Sequence, residues 1–213
     1  MTENDNAMFK TIWNSSFVRI LIYALLCQFT MAVTNTVLPL YVINGLGRSA
    51  TESGLLGSLF TIGSLLCRFI SGYLCDRFGR RICLIAGGVI VGLCLIALGF
   101  ETTMFLLLLT KLFQGVGHAV NSTASNAAAS EVLPRDKVGQ GLGYYSLHSM
   151  ITNAIGPTLC LALMGVGAAA SGGQNYRLPL LIGGFLGFAD AGLGATLHYE
   201  KSLPRRPGRS GGF

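Results

Sequence analysis

The sequence predicts an all-α, integral membrane fold with six transmembrane helices, and three observations carry that reading. Hydrophobic residues fill 51% of the 213 positions and charged residues only 11%, where a soluble domain carries about 25% charged. Glycine occurs 29 times, roughly double its usual share of about 7%, which suits helices packed closely in a bilayer. Six apolar stretches approach or exceed the roughly 20 residues that cross about 30 Å of hydrocarbon. Their continuity favours helices over the alternating segments of about ten residues that build a barrel. A disordered chain, a disulfide-stapled secreted domain and an ordinary soluble enzyme are all excluded by this composition.

The stretches fall at 17–43, 53–74, 82–100, 104–129, 139–166 and 178–197. They divide the chain into an N-terminal segment 1–16, a six-helix domain 17–198 and a basic, Pro/Gly-rich tail 199–213. The first stretch is too long for a signal-peptide core and lacks a persuasive small-x-small cleavage site, so it reads as a retained span. Lys and Arg set the orientation. With the N-terminus inside, the cytoplasmic segments hold Lys10, Arg19, Arg77, Arg80, Arg81, Arg135, Lys137, Lys201, Arg205, Arg206 and Arg209, against Arg48 and Arg177 outside. Both termini are therefore expected in the cytoplasm, with the chain in the plasma or inner membrane. The net charge of +6 is scattered between apolar runs, which leaves no basic face for nucleic acid. None of the six cysteines forms a C-x-x-C pair, so no disulfide or zinc framework is expected. Metal-ligand spacing, nucleotide loops and nucleophile constellations are missing from the sequence, so no metal, cofactor or enzymatic activity is expected.

Between the second and third stretches the chain reads GYLCDRFGRR, from Gly72 to Arg81. Two spans joined here need a tight reversal, which Gly79 permits, while Arg77, Arg80 and Arg81 hold it on the cytoplasmic side. Asp76 is a lone acid among those arginines. The segment resembles the signature loop of the major facilitator superfamily, G-x-x-x-D-R-x-G-R-R, at Gly72, Asp76, Arg77, Gly79, Arg80 and Arg81. In that family the loop joins helices two and three on the cytoplasmic side, as here. In the fourth stretch, KLFQGVGHA resembles the family's R-x-x-Q-G-x-G-x-A at Gln114, Gly115, Gly117 and Ala119, with Lys111 in place of Arg. In the fifth, the antiporter pattern G-x8-G-x3-G-P-x2-G is met at Gly143, Gly156 and Pro157, while Thr152 and Cys160 occupy its other glycine positions.

The resemblance implies transport of a small solute by alternating access between two six-helix halves, with a central site. It implies a fold that is half of a twelve-helix whole. It also implies that Asp76 braces against a helix of a second half, and that Glu131 sits near the Arg77–Arg81 cluster. Protons are the candidate coupling ion, and the fifth-stretch match leans towards antiport. A second six-helix half or a homodimer, besides the lipid bilayer and the solute, is the expected partner. The competing readings are a truncated, non-transporting membrane fragment, and a half-unit that needs a second half or self-association.

Polar residues inside the spans supply candidate site positions, because an ionisable group at a span's centre costs about 2.5–3.5 kcal/mol on insertion scales. Lys111, Gln114 and His118 share a helical stripe with Asn121, Ser122 and Ser125, on a face that should line a cavity or a helix interface. Gln28, Met31 and Asn35 share a face of the first stretch, and Tyr145, His148 and Thr152 one of the fifth. The imidazoles of His118 and His148 suit proton coupling, and equally suit plain hydrogen bonding. Arg68 can snorkel or pair. For Asp190 an ion pair with Arg68 and a protonated acid are both open. Glycine pairs at Gly88/Gly92, Gly139/Gly143 and Gly183/Gly187 predict close helix approach.

Overall fold

The computed structural model describes residues 12–171 and 175–196. Six helices run up and down: α1 Ser15–Leu40, continued by a wider π-helical segment Tyr41–Gly45, α2 Ala50–Phe78, α3 Arg80–Phe100, α4 Met104–Glu131, α5 Val138–Ser171 and α6 Arg177–Thr196. All six expected stretches are helices. The segment 1–11, position 197 and the tail 199–213 lie outside the described residues.

Local chemistry sets several of the ends. Asn14 caps α1, its Oδ1 accepting from Phe17 N at 2.7 Å, and its amide donates to Val132 O at 2.9 Å just past the end of α4. Helix α1 thus starts two residues earlier than the apolar run does. Ser49 and Glu52 form a reciprocal capping box at the start of α2. Pro39 lies inside α1 and lacks a backbone N–H. Just beyond it the chain widens, with Leu46 N bonding Tyr41 O at 3.0 Å, five residues back rather than four.

Among the described residues five helices are long and apolar enough to cross a membrane, and α4 is the one that does not reach that mark. The fourth stretch is nevertheless a helix of 28 residues, as expected. Lys111, Gln114, Asn121 and Ser125 interrupt the apolar run of α4 and are all buried. Other helices cover these polar side chains, while Phe105 and Phe113 of the same helix stay exposed.

Helix α2 packs on α4, α4 on α3, α3 on α6, α6 on α1, and α1 on α5. Exchanging α1 with α4, α2 with α5 and α3 with α6 maps that scheme onto itself. Since α1 starts at the end where α4 finishes, the two three-helix units run in opposite directions. This is an inverted repeat. Glycines make the seams: a Cβ on Gly115 would lie 2.2 Å from Phe60 O, and one on Gly187 would lie 2.7 Å from Gly92 Cα. The Gly88/Gly92 and Gly183/Gly187 pairs therefore bring α3 and α6 together. The Gly139/Gly143 pair does not act this way: an added Cβ at either meets nothing within 4 Å. Both lie on a surface of α5 that no described residue covers.

The core forms two clusters, one around Phe17, Tyr23 and Leu84 and the other around Val33, Leu95 and Leu180. Large apolar side chains such as Phe69, Phe105 and Phe185 face outward, as lipid contact requires. Along its apolar stretch α2 is the least covered helix, and α5 the next.

Candidate functional site

The GYLCDRFGRR segment is a one-residue turn. Helix α2 ends at Phe78 and α3 begins at Arg80, so Gly79 alone makes the reversal, with φ 89° and ψ 151°. That backbone region is open essentially to glycine only. Its N–H still bonds Cys75 O at 3.1 Å. Around it, Arg80 Nη2 lies 3.5 Å from Asp76 Oδ1 and 2.6 Å from Glu131 Oε1, so the expected approach of Glu131 to the arginine cluster is found. Arg77 donates to Tyr73 Oη at 3.1 Å, and Arg81 donates to Ala195 O in α6. The turn is therefore tied to α4 on one side and α6 on the other. Gly72 is exposed, with open space where a Cβ would stand.

A cleft of about 200 Å³ opens between α1, α2, α4 and α5. Gln28 of α1, Arg68 of α2, His118 of α4 and His148 of α5 line it, so three of the six candidate cavity residues share one space. Arg68 and His148 fall in the parts of their helices nearer the Gly79 turn, and Gln28 and His118 close to the middle of theirs. The rings of His118 and Phe60 are 5.6 Å apart, and His118 Nδ1 is buried without a hydrogen-bond partner. His148 Nδ1 contacts Tyr145 O one turn back. Tyr145 Oη and Ser125 Oγ, 2.8 Å apart, close the cleft between α5 and α4.

The other three candidates lie elsewhere. Lys111 and Gln114 do not line the cleft: they are 3% and 0% exposed. Lys111 Nζ donates to Gln114 Oε1 at 2.9 Å and stands 4.8 Å from the centre of the Phe60 ring. Gln114 Nε2 donates to Thr34 Oγ1 of α1 at 3.0 Å. This buried relay joins α4 to α1 and α2. Asn35 is exposed beside it, outside the cleft. The α4 stripe read as one face is thus divided, with His118, Ser122 and Ser125 on the cleft and Lys111, Gln114 and Asn121 between helices.

Asp190 is 1% exposed and forms no ion pair with Arg68. Its Oδ2 accepts from Asn121 Nδ2 at 3.3 Å. Asn121 Oδ1 accepts in turn from Tyr23 Oη, which also lies 2.9 Å from Leu84 O. One buried network therefore joins α1, α3, α4 and α6. Sequence reading passed over Tyr23, whose hydroxyl carries no signal in an apolar run. Of the fifth-helix pattern, Gly156 packs against α1, where a Cβ would lie 2.7 Å from Ala32 Cβ. Gly143 and Pro157 are exposed.

Inverted three-helix units, the first with a charged one-residue turn between its second and third helices, are an architecture of integral membrane secondary transporters. The Major Facilitator Superfamily profile matches residues 20–211. An uncharacterized membrane protein of Saccharomyces cerevisiae is 26% identical over 84% of this chain and 40% of its own length. A multi-drug resistance efflux pump PmrA homolog of Lactococcus lactis is 34% identical over 57% of this chain and 31% of its own. The quinolone resistance protein NorB of Staphylococcus aureus is 32% identical over 64% of this chain and 30% of its own. The chain belongs to the major facilitator superfamily. It spans 40% or less of the length of these relatives.

Proposed function

We propose that this chain supplies one side of the solute pathway of a membrane transporter that works by alternating access, with the α1/α2/α4/α5 cleft as its share of the solute site. The observation that carries the reading is the convergence of Gln28, Arg68, His118 and His148, from four helices and both repeats, on one cleft. Two relatives bear names of drug efflux and quinolone resistance, which favours export of a small organic solute. Protons are the coupling ion we favour, since the imidazoles of His118 and His148 stand in the cleft itself.

The opposite wall comes from another six-helix unit or a second copy. Open space at Gly72 on α2 and Gly143 on α5, with the poor cover of both helices, leaves room for such a neighbour. The charge bias favours the cytoplasmic side of the cell membrane for the Gly79 turn and both termini. Proteoliposomes carrying a pH-sensitive dye and the full chain, singly or as a tandem fusion of two copies, test this. A panel of small carboxylates, amines and neutral solutes should evoke saturable proton movement that falls about tenfold or more in Gln28→Ala and His118→Ala at equal reconstitution, a change on the order of 1.4 kcal/mol. Absence of solute-evoked movement in both forms contradicts a second copy as the opposite wall.

A further inference from the structure

We infer that the cleft takes the anionic group of its solute, a carboxylate or phosphoryl oxygen held by Arg68 with His118 and His148 beside it. The inference rests on the reading of the cleft as a solute site and adds the class of solute. Six acids lie among the described residues, and none of them lines the cleft. Glu52 is occupied by Ser49 and Arg48, Asp76 and Glu131 by Arg80, and Glu101 by Thr110. Asp190 bonds Asn121, and Asp136 stands in the turn after α4. Arg68 forms no ion pair with an acid among the described residues.

A guanidinium always keeps its charge and offers a fork of N–H donors matched to carboxylate and phosphate oxygens. Arg68 is exposed and lines the cleft, so its guanidinium is open to an incoming anion. His118 lines the same cleft, and an imidazole N–H can donate to an anion's oxygen. A cationic solute would meet a like charge and no carboxylate. The cleft of about 200 Å³ is smaller than the roughly 300–1,000 Å³ of complete ligand pockets, as one wall of a larger site would be.

The same oxygens could come from a dissolved solute or from a lipid headgroup, and the test separates them. The full chain is purified in dodecyl maltoside, which carries no phosphate, with ¹⁵N in its histidine rings. It is titrated with benzoate, benzamide, benzylamine and dioctanoyl phosphatidylglycerol. Benzoate should shift the His118 and His148 signals saturably, with benzamide and benzylamine at least about tenfold weaker. Arg68→Gln should weaken benzoate about tenfold, and Arg68→Lys by less, because charge remains while the fork is lost. A native-like amide spectrum for each variant checks that it folds. Benzylamine or benzamide binding as tightly as benzoate overturns the anion inference and leaves the solute site standing. Silence of both histidines towards every probe removes the solute site itself. Saturation by the phosphatidylglycerol without a benzoate response assigns Arg68 to a headgroup and overturns the solute inference.

Discussion

Arg80 and Glu131 meet at 2.6 Å across the end of the helix bundle, and the same guanidinium reaches Asp76 at 3.5 Å. One arginine thereby fixes the α2–α3 turn to the end of α4. The Arg80 and Glu131 side chains are 26% and 27% exposed, so water screens the pair in part. A double-mutant cycle of Arg80→Gln and Glu131→Gln, read by thermal unfolding in detergent, should give a coupling of about 1 kcal/mol. The exchanged pair Arg80→Glu with Glu131→Arg should recover part of what either change alone loses. A coupling indistinguishable from zero would mean that the contact holds nothing.

Gly79 is the residue on which that turn depends. Its φ of 89° places any side chain in strain, and strain of this kind costs on the order of 1–3 kcal/mol. Gly79→Ala should lower unfolding stability by that amount. The loss should persist when Arg80 is also changed, because it arises in the backbone and not in the ion pairs.

Glycines at helix seams and glycines on the open surface should behave in opposite ways. Gly115→Ala drives a methyl into the Phe60 carbonyl, which the α2–α4 seam can relieve only by moving apart. Overpacking of this sort costs about 1–3 kcal/mol. Gly143→Ala meets nothing within 4 Å and should leave the isolated chain unchanged or stabilise it by about 0.5–1 kcal/mol. Equal losses at the two positions would contradict the helix packing described.

The Lys111–Gln114–Thr34 relay predicts an asymmetry. Lys111 is buried with an amide oxygen and an aromatic face for company, so Lys111→Met exchanges a weakly compensated amine for an apolar chain of similar length and should not destabilise. Gln114→Leu removes the acceptor and leaves the amine alone. Stranding a buried charge costs about 3–5 kcal/mol. Thermal unfolding of both variants reads the difference, and a larger loss from Lys111→Met would show that Lys111 has a partner beyond Gln114. If Lys111 also serves the solute or the proton, as proposed from its stripe, transport should fall in the variant that unfolds no sooner.

The helices were legible because each is a continuous apolar run broken by glycine and charge, and the turn because Gly79 and its arginines are consecutive. The division of the α4 stripe was not. Helical spacing spreads Lys111, Gln114, His118 and Asn121 over one broad arc. What each part of that arc meets is decided by residues remote in sequence: Thr34 lies 80 positions from Gln114, and Tyr23 lies 98 from Asn121. Gly139 and Gly143 misled for the same reason, since their spacing permits close approach without supplying the helix that approaches. Asp190 found an amide in place of the Arg68 cation, because Asn121 of α4 stands between α6 and the cleft.

The central claim is that the face of α1 and α5 carrying Gln28 and His148 looks into water while α6 looks into lipid. In a cysteine-free background of the full chain in membranes, Gln28→Cys, His148→Cys and Phe185→Cys are each exposed to a charged, membrane-impermeant methanethiosulfonate reagent, with the membranes opened to give it access from both sides. The first two should react rapidly and Phe185→Cys, on the outward apolar surface of α6, at least about tenfold more slowly, on the order of 1.4 kcal/mol. Rapid reaction at position 185 with protection at positions 28 and 148 would turn the bundle inside out and contradict the account.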